Sequence, residues 1–151
     1  MKSEEFIITA SKIVGFSKAG SRSATSRAYY GAFHFAIEVV CELADIGIER
    51  FSHNHSLPGN CLSKANDDNA RQAANLLGNL QSRRIAADYK INQSNPESLK
   101  YGQYSVLQAQ KCQQFLENLR AKFHADSSAK HEFAAKVKEL LKIYSGQKDV
   151  G

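Results

Sequence analysis

Arg27 and His34 stand seven positions apart, so on an α-helix they lie within about twenty degrees of each other on one face. An arginine and a histidine held that way can act on a phosphodiester, with His34 as general acid or base and Arg27 as a clamp on phosphate. The same spacing also suits a structural role, in which both sit at the edge of an apolar stripe and pair with a carboxylate. Asp88 is the natural partner, and the structural role is the expected one. Arg84 and Asp88 are spaced i, i+4 for an intrahelical ion pair. Such a pair is worth only about 0.2–0.5 kcal/mol, so Asp88 is expected to turn to a buried partnership with Arg27, near His34.

Other chemistry is thinly supplied. His53 and His55 form a His-x-His pair in a loop, and His131 lies far from both, but no Cys or carboxylate stands at zinc-ligand spacing, so no metal site is expected. No Gly-rich phosphate loop, Gly-x-Ser-x-Gly elbow or pair of catalytic carboxylates occurs, and no cofactor is implied. Cys41, Cys61 and Cys112 are odd in number and widely spaced, and Cys41 and Cys112 fall on apolar helix faces, so they read as reduced packing residues. Arg22, Arg27, Arg71, Arg83, Arg84 and Arg120 can form a phosphate-binding surface if some converge; solvated helix faces are the plainer expectation. Tyr29 and Tyr30 can stack on bases, yet Tyr30 falls on the apolar stripe and is expected in the core.

The elements that must position these residues are helical. Ser3 reads as an N-cap, with Glu4 and Glu5 in the first turn where the helix dipole favours acid, and a stripe from Phe6 to Phe16 ends near Gly20. Ser21 or Ser23 can cap a longer second helix, with Tyr30, Phe33, Ile37, Val40, Cys41 and Ala44 inward and Gly47 as its stop. Residues 48–66 are irregular, with Pro58-Gly59 suggesting a loop and a short helix. A long helix resumes at Asp67 and ends near Tyr89 to Ile91. Pro96 reads as the first residue of the next helix, which carries Tyr104, Cys112, Phe115, Leu116, Leu119 and Phe123. Asp126 to Ser128 caps a last helix over 128–145, with Phe133, Val137, Leu140, Leu141 and Tyr144 inward. No alternating run of β-branched residues and no hairpin turn interrupts this pattern. The expected fold is all-α, an up-and-down bundle of five to six helices in one domain spanning 1–151.

Composition narrows the class further. An apolar share of 42% is enough for a core, which excludes a disordered chain. The formal charge of +5 mildly favours phosphate-rich partners without amounting to a polybasic tail. The first residues carry acid where a signal peptide has its apolar stretch, and the most apolar segment, Ala32 to Ala44, is broken by His34, Glu38 and Glu42. A soluble, cytoplasmic protein with no membrane association is expected.

Two segments go beyond generic helix. Ser26-Arg27-Ala28-Tyr29-Tyr30-Gly31-Ala32-Phe33-His34 and Arg84-Ile85-Ala86-Ala87-Asp88-Tyr89 resemble the two motifs of one branch of the HEPN family, Ser-Arg-x-Tyr-Tyr-x-x-Phe-His and Arg-x-x-Ala-Asp-Tyr. His53 or His55 sits where that branch often has a Ser/Thr-His pair. The resemblance covers residues 5–120 and leaves the last helix as an extension. It implies a bundle of helices, commonly dimeric, found beside nucleotidyltransferase partners in toxin–antitoxin modules, in defence systems or on mobile elements. Active members use Arg-x4-6-His near the end of the fourth helix. Aligning Tyr89 with the tyrosine that often follows puts Ala87 at the histidine and Ser82 at the arginine, and neither can serve as acid, base or cation. The resemblance therefore implies a non-catalytic domain that binds nucleotide, RNA or a partner protein, with Arg27, Tyr30, His34, Arg84, Asp88 and Tyr89 as its polar cluster. Two alternatives stand beside it: a metal-independent ribonuclease toxin using Arg27 and His34, or His53 and His55, and a purely structural interaction module.

Overall fold

The second helix sets the frame, and its start differs from the sequence expectation. In the computed structural model, which describes residues 1–51 and 54–148, the first helix stops at Ile13 and the chain turns at Gly15, whose φ of +129° suits glycine alone. Ser17, and not Ser21 or Ser23, caps the next helix, its Oγ accepting from the Gly20 amide at 2.9 Å. Among the described residues six α-helices follow one another: α1 (Ser3–Ile13), α2 (Lys18–Ala44), α3 (Leu57–Leu62), α4 (Asp68–Tyr89), α5 (Leu99–Ala125) and α6 (Ser127–Lys148). Short 3-10 turns occupy Ile48–Phe51 and Asn95–Glu97, and no strand occurs among the described residues. His53 lies outside the described residues.

The all-α bundle of the sequence reading holds, with α2 at its centre. Ala24, Ala28, Ala32 and Ala36 are fully buried, and small side chains at this spacing let neighbouring helices approach closely. Gly31 is needed for the same reason, because a Cβ there would meet Ile7 Cγ1 of α1 at 2.6 Å. Buried residues recur on nearly every side of α2 from Ala28 to Ala44, the pattern of a helix surrounded by others, and α1, α3, α4, α5 and α6 all pack on it. α2 ends on Asp45 in the left-handed region at φ 53°, where the sequence had suggested Gly47. Aspartate is one of the few residues with a side chain that visits that region readily.

Polar side chains join the ends of these helices. Asp67 caps α4 by accepting from the Asn69 and Ala70 amides at 2.8 and 3.2 Å, and it pairs with Lys122 of α5. Burial alone would raise the Asp67 carboxyl, but the Lys122 bond and the two amides outweigh it and hold the group below its ordinary value. Arg22 of α2 reaches the other end of α4, donating to the carbonyls of Ala87 at 2.9 Å and Ile91 at 3.3 Å and pairing with Glu97. It thereby satisfies carbonyls that a helix end leaves open. Pro96 is buried in the 3-10 turn and does not begin α5, which Ser98 caps instead. Ser3, expected as a cap, is the first helical residue of α1, and its hydroxyl donates to Glu38 at 3.2 Å.

The last helix belongs to the same core. Phe133, Val137 and Leu141 of α6 are buried, and the Phe133 ring meets Phe123 edge-on at 5.6 Å. The apolar stripe of this helix is thus largely covered within the chain. Tyr104 is half exposed, and Phe16 is 82% exposed because α1 ends before it. No described helix is long and apolar enough to cross a membrane.

Candidate functional site

The two motifs singled out in the sequence face each other across α2 and α4. Arg84 lies at their meeting point, only 7% exposed. Its guanidinium carbon lies 5.3 Å from the ring centre of Tyr29, 5.6 Å from that of Tyr30 and 5.7 Å from that of Tyr89. One terminal nitrogen is 3.6 Å from Asp88 Oδ2 and 3.5 Å from the Tyr89 hydroxyl. Arg84 Nε is buried with no hydrogen-bond partner. The guanidinium is held among three tyrosine rings by cation–π attraction and one carboxylate, and its buried Nε stays unpaired.

Asp88 completes the contact between the helices, but with different partners from those expected. Ser26 Oγ of α2 donates to Asp88 Oδ2 at 3.2 Å, and the intrahelical pair with Arg84 persists. Arg27 is exposed, and no hydrogen bond or ion pair joins it to Asp88 or to any other described residue. The expected Arg27–Asp88 pair is therefore incorrect. The reason is helical phase: neighbours on a helix point about 100° apart, and it is the face carrying Arg22, Ser26 and Tyr29 that meets α4.

His34 shares its face with Tyr30 and looks toward α1. Its ring lies 5.6 Å from Phe6, 6.1 Å from Tyr30 and 5.4 Å from Phe33. Burial lowers its pKa, with Glu38 pulling the other way, so the ring favours its neutral form. The structure does not bring Arg27 and His34 together on a common partner.

His55, in the turn before α3, joins the cluster in their place. Its Nδ1 lies 2.8 Å from the Tyr29 hydroxyl, and its ring packs on Tyr29, Tyr30 and Phe33 at 5.8, 6.2 and 5.1 Å. Tyr29 is 1% exposed; burial drives its phenol upward, and nearby Arg84 offsets that only in part, so the hydroxyl keeps its proton. Tyr30, expected in the core, is half-buried, and Tyr89 is 70% exposed. The cluster thus offers solvent two aromatic rings and an imidazole, backed by one buried cation. That combination suits stacking of planar bases and attraction of an anion.

The remaining candidates take structural places. Arg83 donates through Nε to Ser105 Oγ at 2.9 Å and through a terminal nitrogen to the Tyr101 carbonyl at 2.8 Å, and it lies 3.6 Å from the Tyr101 ring centre. It joins α4 to α5, as Arg22 joins α2 to the end of α4, and sequence spacing signals neither role. Arg71 pairs with Asp68, and Arg120 lies near Glu42 and the Phe35 ring. Burial pushes the thiols of Cys41 up to about 11 and of Cys61 and Cys112 up to about 12, which suits packing and not attack. Among the described residues, no three His, Cys, Asp or Glu side chains gather where they can hold a metal ion. At the positions aligned with the ribonuclease pair, Ser82 is exposed and bonds back to the Gly78 carbonyl, while Ala87 is buried. No family model, curated protein or solved structure matches the chain.

Proposed function

We propose that this chain is an HEPN-like domain that binds RNA without cleaving it, through the cluster of Arg84, Tyr29, Tyr30, Tyr89 and His55. The observation that carries this function is the buried Arg84 guanidinium ringed by three tyrosines, one of them the exposed Tyr89. Exposed Tyr89 and half-buried Tyr30 supply ring faces for bases, and the net charge of +5 favours approach of a polyanion. A toxin–antitoxin, defence or mobile-element setting, a homodimer and a nucleotidyltransferase partner complete the proposal, and all three rest on the family resemblance.

Fluorescence anisotropy of a labelled twelve-nucleotide single strand of RNA tests it. The chain binds at low salt and binds more weakly as salt rises. Tyr89→Ala weakens binding about tenfold, as loss of one base stack does. Absence of binding at low salt, or binding unchanged in both Tyr89→Ala and Arg84→Met, contradicts the proposal.

A catalytic function is favoured by one observation, that His55 and Arg84 flank the same Tyr29 ring. Cleavage of total RNA by the purified chain, lost in His55→Ala, would establish it in place of simple binding.

A further inference from the structure

The groove between α3 and α4, which opens beside His55, is built around two glycines that packing does not require. A Cβ at Gly59 or at Gly78 would meet no atom within 4 Å, whereas at Gly31 it would collide with Ile7 and at Gly102 with Val14. Gly78 lies near the middle of α4, where glycine destabilises a helix relative to alanine. Sites kept open at the expense of stability are characteristic of function. The groove has a volume of about 310 Å³, at the small end of pockets that take small ligands.

We infer that this groove holds one nucleobase of the bound strand, a step that deepens the RNA-binding function and rests on it. Its lining includes the amides of Asn60, Asn75 and Gln81, serine hydroxyls and the His55 imidazole, and among the described residues no carboxylate, lysine or arginine. A phosphate or carboxylate would find no cation there. A neutral, planar heterocycle fits, because each amide offers both a donor and an acceptor to the mixed edge of a base. Asn60 is held in place, its Nδ2 donating to the Tyr144 hydroxyl of α6 at 2.6 Å, which gives the last helix a part in the site. His55 is fixed by Tyr29, so an aromatic ring stands ready at one end of the groove. Gln81 and Arg84 are one turn apart on α4, so a base in the groove directs its sugar and phosphate toward the guanidinium.

Heteronuclear NMR of the full chain, titrated with each of the four ribonucleoside 5′-monophosphates, tests the assignment. The side-chain amide signals of Asn75 and Gln81 shift, with one base preferred over the others. Gly78→Leu fills the groove, melts at or above the wild-type temperature, abolishes these shifts and weakens single-stranded RNA binding about tenfold. Asn75→Ala, at an exposed position, weakens the Gln81 shift and the RNA binding in the same direction should the leucine disturb folding. RNA binding that survives both substitutions unchanged overturns the base subsite and leaves RNA binding at the tyrosines intact. Shifts at Asn75 and Gln81 without any RNA binding support the subsite and remove the wider function. Shifts confined to other parts of the chain overturn the subsite.

Discussion

Replacing Arg84 with methionine distinguishes a side chain kept for binding from one kept for stability. The Arg84–Asp88 contact at 3.6 Å leaves the Asp88 side chain 29% exposed, so losing it costs about 0.2–1 kcal/mol, as for surface pairs. Three ring contacts between 5.3 and 5.7 Å add about 0.5–1 kcal/mol each at most. Against these losses, methionine relieves a buried Nε that has no partner, a burden of about 1–3 kcal/mol, and its sulfur packs well against aromatic rings. The expected net loss is at most about 3 kcal/mol, and at about 2–4 °C per kcal/mol the melting temperature falls by no more than about 12 °C. Urea and thermal melts followed by circular dichroism read both values. A loss above about 3 kcal/mol, the range for breaking a fully buried pair, would make Arg84 a structural lock and refute the reasoning.

Other perturbations test the supports around the site. Asp67→Ala removes the α4 cap and is expected to cost about 1–2 kcal/mol in urea melts. Because the folded Asp67 carboxyl sits below its ordinary value, its contribution is present at neutral pH and is lost as pH falls below about 4; Asp67→Asn flattens that acid limb. Arg22→Met strips the donors from the carbonyls at the end of α4 and is expected to cost about 1–3 kcal/mol, measured the same way. The family resemblance implies a homodimer, so light scattering at micromolar concentration is expected to report a dimer, and a monomer throughout would contradict it.

Much of the bundle was legible in the sequence because each helix carries a strong local signal. Asp67 before α4 and the stripe of Phe133, Val137 and Leu141 on α6 needed no tertiary information. Phase was harder to read. Arg27, Tyr30 and His34 form one stripe of α2, while Arg22, Ser26 and Tyr29 form another one residue away, and the spacing of each fits a buried face. Only the packing of α1 against the first stripe and of α4 against the second decides which residues meet Arg84 and Asp88. The α1–α2 boundary shifted for a related reason, since Gly15 and Gly20 both suit a helix end and only the backbone at φ +129° separates them. Arg22 and Arg83 act on carbonyls, hydroxyls and rings far along the chain, and no local pattern announces such contacts.

Photocrosslinking addresses the central claim most directly. With the full chain bound to single-stranded RNA carrying 4-thiouridine, mass spectrometry is expected to find adducts on Tyr89, Tyr30 or His55, the accessible rings around Arg84. Adducts confined to lysines of α6, or none at all under conditions where a known RNA-binding control is labelled, would contradict it.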